Sequence, residues 1–120
     1  VNSGGENIAP VPIENLLLSY DEIEQVMIYG HNRPFLIAII IPNEKLLSYN
    51  DNFLKENLQT ILNNLNKNLS QTKKIRKFIS SNEVFSTDNG QLTPTLKIRR
   101  HIIANHYKDE INNLYKKSFF

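Results

Sequence analysis

The chain has 120 residues, 40% of them hydrophobic and 22% charged, with a formal net charge of +2. These values suit one soluble domain with a real core and give no general push toward nucleic acid. With no cysteine, disulfides, thiolate metal sites and cysteine nucleophiles are excluded. The longest apolar run, 35–42, is far too short to span a bilayer, and no signal-peptide pattern precedes it, so a cytoplasmic protein is expected.

The chain opens on Val1-Asn2-Ser3-Gly4-Gly5, without an initiator methionine and already with the character of a functional loop, which reads as a domain cut from a longer protein. Pro12 suits a first helical position, and Ile13, Leu16, Leu17 and Tyr20 then share one face of a short helix ending near residues 19–21. Two apolar runs, 25–29 and 35–41, flank a segment of turn composition, Gly30-His31-Asn32-Arg33-Pro34, and predict an antiparallel strand pair. The second run is apolar at every position, as in a central strand covered on both faces, and Pro42 stops it.

From Asp51, which reads as a cap, Leu54, Leu58, Ile61, Leu62, Leu65 and Leu69 recur at helical spacing. Residues 75–79 predict a short strand. Asn89-Gly90 is a strong hairpin signal, and Pro94 fixes its own φ while biasing Thr93 toward extended backbone. Lys97 is thereby expected at the end of a tight ribbon. On these residues alone, Lys97, Arg99 and Arg100 also fit an ordinary solvated basic edge. A last helix carries Ile103, Tyr107, Ile111, Leu114 and Tyr115 on one face. The sum is an α+β fold, a small mixed or antiparallel sheet flanked by helices, with residues 1–120 as one domain. The many asparagines, spread over helix surfaces and loops alike, read as a compositional bias.

Two motifs stand a domain length apart: Ser3-Gly4-Gly5-Glu6-Asn7-Ile8-Ala9-Pro10 and Leu92-Thr93-Pro94-Thr95-Leu96-Lys97-Ile98-Arg99-Arg100. Together they resemble the C-terminal domain of AMP-forming acyl-CoA synthetases, and specifically of long-chain fatty acid CoA ligases. Asn66-Lys67-Asn68-Leu69-Ser70, Lys74-Ile75-Arg76-Lys77-Phe78 and Ile111-Asn112-Asn113-Leu114-Tyr115 extend that resemblance over essentially the whole chain. One position departs from the wider superfamily. Leu96 stands where most members have glycine before the lysine, a departure shared with the long-chain branch.

The resemblance implies that ATP and a fatty acid give acyl-AMP and pyrophosphate, and that the CoA thiol then displaces AMP. Lys97 would be the catalytic lysine of the first step, aimed by Thr93, Pro94 and Thr95. Gly4 and Gly5, with Glu6 and Asn7, would border the pantetheine path of the second step, where a missing side chain lets the arm pass close to backbone. The partner would be the protein's own N-terminal adenylating domain, upstream of Val1 with the hinge, the ATP site, the acyl tunnel and Mg2+. Isolated, the domain would be inactive. Other acids, a carrier-protein acceptor, and a non-catalytic basic module for RNA or anionic lipid are the alternatives. The basic segments lack the interleaved aromatics of an RNA reader, so no nucleic acid is expected.

Other residues carry weaker signals. His101 and His106 point to different helix faces and complete no metal site, and His31 reads as a turn residue. Lys73, Lys74, Arg76 and Lys77 form a basic cluster that fits a solvated face, the nucleotide end of CoA, or peripheral contact with an inner membrane face. Phe119 and Phe120 would dock on the large domain or fray.

Overall fold

The computed structural model describes residues 9–116, and the chain divides into two compact units between Val84 and Phe85. The first unit is built on a three-stranded mixed sheet in the order β1-β2-β3, with β1 at Ile23–Tyr29, β2 at Leu36–Pro42 and β3 at Ile75–Ser80. β2 pairs antiparallel with β1 and parallel with β3. Every β2 residue is buried, as its unbroken apolar run predicts for a strand covered on both sides. The β1–β2 turn closes with the Arg33 N–H donating to the Gly30 carbonyl at 3.0 Å. A Cβ on Gly30 would strike the Leu36 side chain, so any larger residue there would force that buried leucine to shift.

Leu36, Ala38 and Ile40 alternate onto one face of β2 and join Val26 and Ile28 of β1 and Ile75 of β3 in the core cluster. Helix α1, Pro10–Leu18, adds Ile13 and Leu17, and helix α3, Asp51–Asn66, adds Leu54, Leu58, Ile61, Leu62 and Leu65. A short helix α2, Glu44–Leu47, and a 3-10 turn, Gln71–Lys73, are further elements that the apolar spacing does not reveal.

Several expectations shift by a residue or two, each for a local reason. α1 begins at Pro10, not Pro12; both prolines fit, because the first-turn N–H groups have no intrahelical acceptor in any case. Leu16 is exposed, and Glu14 takes the inward place instead. Its Oε2 accepts the Ile28 N–H at 2.8 Å, so a buried carboxylate satisfies a donor on edge strand β1. The cap of α3 is Asn50, whose Oδ1 accepts the Phe53 N–H at 2.8 Å, leaving Asp51 inside the first turn where its charge suits the helix dipole. α3 ends at Asn66, and Leu69 packs on the core from beyond it.

Asparagine has structural roles that a compositional reading overlooks. Asn43 caps α2 through Oδ1 to the Leu46 N–H and donates Nδ2 to the Asp21 carbonyl, both at 2.8 Å. Asn66 acts as a surrogate strand partner: Nδ2 donates to the Ile75 carbonyl at 2.8 Å, and Oδ1 accepts the Ile75 N–H at 2.9 Å. That bracket ties the end of α3 to the start of β3.

The second unit buries Phe85, Gln91, Ile103, Tyr107 and Ile111. Its expected single helix is two, α4 at Arg100–His106 and α5 at Lys108–Tyr115. They meet at Tyr107, whose backbone leaves helical geometry at φ −101 and ψ 22. Asp109 and Glu110 then fall in the first turn of α5, where acidic side chains favour a new helix start. Ile103, Tyr107 and Ile111 still form the buried side. Among the described residues, no helix is long and apolar enough to cross a membrane.

Candidate functional site

Gly90 does adopt a left-handed conformation, φ 80, but its turn is separate from the one that carries the lysine. Its N–H donates to the Thr87 carbonyl at 3.1 Å, and Asn89 Oδ1 accepts the N–H groups of Ser86 and Gln91 at 3.1 and 3.0 Å. Asn89-Gly90 therefore folds back on Ser86-Thr87. The chain then enters a second, smaller turn.

In that second turn Thr93 is the hub. Its N–H donates to the Lys97 carbonyl at 2.8 Å, its carbonyl accepts the Leu96 N–H at 2.8 Å, and its Oγ1 accepts the Lys97 N–H at 3.0 Å. Oγ1 also lies 3.2 Å from Thr95 Oγ1. Pro94 stands one residue into the turn, where its fixed φ lowers the entropy lost on closure. Thr93, Pro94 and Thr95 are thus brought together with Lys97, whose side chain is exposed and, among the described residues, has no ion-pair partner.

The expected β-hairpin is not formed as a pair of strands. The two arms meet in one isolated antiparallel bridge, Leu92 to Ile98. The reason is length: α4 begins at Arg100, so no residues remain to extend the second arm. The neck is closed instead by Arg99, which donates its N–H to the Gln91 carbonyl at 2.9 Å and Nη1 to the Gly90 carbonyl at 3.2 Å. Arg99 is half-buried and is a clamp, where the sequence suggested a solvated edge. An arginine at the foot of a turn is indistinguishable by pattern from a surface arginine.

Leu96 is the strained member, at φ 66. For an L-residue with a Cβ that region costs roughly 1–2 kcal/mol, and glycine avoids the cost. The closing hydrogen bonds around Thr93, each worth about 1 kcal/mol net, hold it there. The leucine side chain itself stands 68% exposed.

Gly4, Gly5, Glu6 and Asn7, and also Phe119 and Phe120, lie outside the described residues. Of the basic cluster, Lys73, Arg76 and Lys77 are exposed and Lys74 is half-buried; the Lys77 Nζ stands 5.7 Å over the Phe35 ring. His31, His101 and His106 are exposed. Among the described residues, no three His, Asp or Glu side chains converge as a metal site would need.

The family described as AMP-binding enzyme C-terminal domain matches residues 1–119. A chloroplastic long-chain-fatty-acid acyl-carrier-protein ligase of Arabidopsis thaliana is 37% identical over 96% of this chain. Human long-chain-fatty-acid CoA ligase 1 is 30% identical over 92% of it. This chain spans only 16% and 18% of those two relatives. Among solved structures, the didomain of a carboxylic acid reductase from Segniliparus rugosus in complex with AMP superposes at a TM-score of 0.80, with 25% identity, over 90% of this chain and 16% of that one.

Proposed function

The chain belongs to the AMP-binding enzyme C-terminal domain family, and on that premise we propose that it is the mobile C-terminal domain of a long-chain fatty acid CoA ligase. In such an enzyme a fatty carboxylate oxygen attacks the α-phosphorus of ATP, the bond to the bridging oxygen breaks, and pyrophosphate leaves. The CoA sulfur then attacks the acyl carbon of acyl-AMP, and AMP leaves. Two anions must approach in the first step. Lys97 supplies the positive charge there, bridging carboxylate and α-phosphate as charge builds on phosphorus.

The observation that carries this reading is the Thr93–Lys97 turn. It presents one ammonium on a backbone bracketed from both sides, so the base of the lysine is fixed in advance and only its side-chain rotamers remain to be ordered when it meets the anions. Gly4, Gly5 and Glu6 serve the second step, bordering the pantetheine arm after the domain turns. ATP, fatty acid and CoA are the substrates, with most of their binding surface on an N-terminal adenylating domain outside these 120 residues. Among the described residues no carboxylate set could hold Mg2+, and the metal that accompanies ATP would be bound by that N-terminal domain. Separated from that domain, this one is inactive.

A second reading differs only in the acceptor. A relative at 37% identity is a ligase for acyl carrier protein, and a carrier presents its thiol on the same pantetheine arm as CoA. Lys97 serves both readings equally. The test is Lys97→Ala in the full-length enzyme. ATP–pyrophosphate exchange with fatty acid should fall on the order of 100-fold or more, while thioester formation from supplied acyl-AMP is largely spared. Equal loss of both half-reactions would sink the assigned role, and CoA offered against holo-carrier protein decides the acceptor.

A further inference from the structure

Leu96 has the highest exposure of the large hydrophobic residues described, 68%, and it holds a left-handed backbone that disfavours any side chain. Its N–H takes part in closing the turn, but its side chain contributes nothing to the hydrogen bonding around Thr93 and Lys97. A glycine would make the same backbone bond with less strain and without apolar surface in water. The leucine is therefore unfavourable twice over in this domain by itself. Both penalties are explained if its side chain is buried in another state of the protein.

We propose that Leu96 is an apolar anchor that seats in a recess of the protein's own adenylating region when Lys97 is delivered to the phosphate. The proposal rests on the reading of Lys97 above. The occupant follows from position and from length. Leu96 is covalently next to the lysine, so whatever surface receives the Lys97 ammonium lies within one residue of it. Similar proteins also extend far beyond the part this chain matches, 84% and 82% of their lengths lying elsewhere. In this role Leu96 is a positioning residue that touches no substrate and biases the domain toward its adenylating pose.

The two properties of Leu96 separate by substitution in the full-length enzyme. Leu96→Asn tolerates the left-handed backbone but removes the apolar surface, whereas Leu96→Met keeps apolar surface. Burial of such a side chain predicts that Leu96→Asn lowers ATP–pyrophosphate exchange about tenfold, equivalent to roughly 1.4 kcal/mol. Leu96→Met should stay within about threefold, and thioester formation from supplied acyl-AMP should be unchanged in both. Leu96→Gly should also lose exchange while its thermal midpoint stays at or above that of the parent, a split that a purely structural role would not produce. Parent-like exchange in Leu96→Asn, or an equal loss in Leu96→Met, would overturn the anchor. Lys97→Ala measured alongside separates the two readings: if it keeps exchange, both fall, and if it loses exchange while Leu96→Asn does not, only the anchor falls.

Discussion

Replacing Thr93 with valine keeps the shape and β-branching of the side chain and exchanges for a methyl group the hydroxyl whose Oγ1 accepts the Lys97 N–H at 3.0 Å. The backbone pair between Thr93 and Lys97 survives, so the turn should loosen without unfolding. A neutral hydrogen bond contributes about 0.5–1.5 kcal/mol net, and the exposed setting places this one toward the lower half, because water can replace the lost acceptor. Converted to a population of correctly closed turn, that is roughly a two- to fivefold loss in the step that uses Lys97. ATP–pyrophosphate exchange in the full-length enzyme reads that step directly. Thioester formation from supplied acyl-AMP should not change, and Thr93→Ser, which retains the acceptor, should stay near the parent. If Thr93→Val exchanges as fast as the parent, the hydroxyl does not aim the lysine. If both half-reactions drop together, the turn is a general structural element and does not serve Lys97 in particular.

Three further outcomes are expected. Glu14→Ala leaves the Ile28 N–H without its buried acceptor, and should destabilise the domain by about 1–3 kcal/mol in a chemical melt, with Glu14→Gln costing less because an acceptor oxygen remains; a parent-like midpoint for the alanine variant would refute the anchoring of α1 on β1. Asn66→Ala removes both bonds to Ile75 and should cost about 1–2 kcal/mol, with hydrogen exchange accelerated at the start of β3; unchanged protection there would show that the bracket is incidental. Gly5→Leu should slow acyl transfer to CoA well beyond any effect on exchange, and normal transfer would remove the glycine loop from the pantetheine path.

Much of the fold is legible in the residues because it is local. Strand β2 is readable as central from its unbroken apolar run, and α3 from apolar spacing alone, since burial on one or both sides leaves a period in the sequence. The lysine turn is likewise signalled by Thr93-Pro94-Thr95, whose backbone preferences act within a few residues. What escapes is anything whose meaning depends on a distant partner. Glu14 looks like a surface residue until Ile28 is found against it, 14 residues away, and Asn66 looks like helix-surface filler until it pairs with Ile75. Arg99 belongs to the same class, read as a solvated charge and found clamping the neck of the turn through the Gly90 and Gln91 carbonyls.

The sequence by itself determined the main helix α3, the strands of the sheet and the placement of β2 inside it, all consequences of patterning and short-range backbone chemistry. Only the tertiary structure decided that β3 runs parallel to β2, because strand direction depends on the crossover through α2 and α3 and not on the strand's own residues. Only it decided, too, that Leu96 is left-handed. Nothing in a leucine asks for φ 66; the hydrogen bonds that close Thr93 onto Leu96 and Lys97 impose it, and they exist only once the turn has formed.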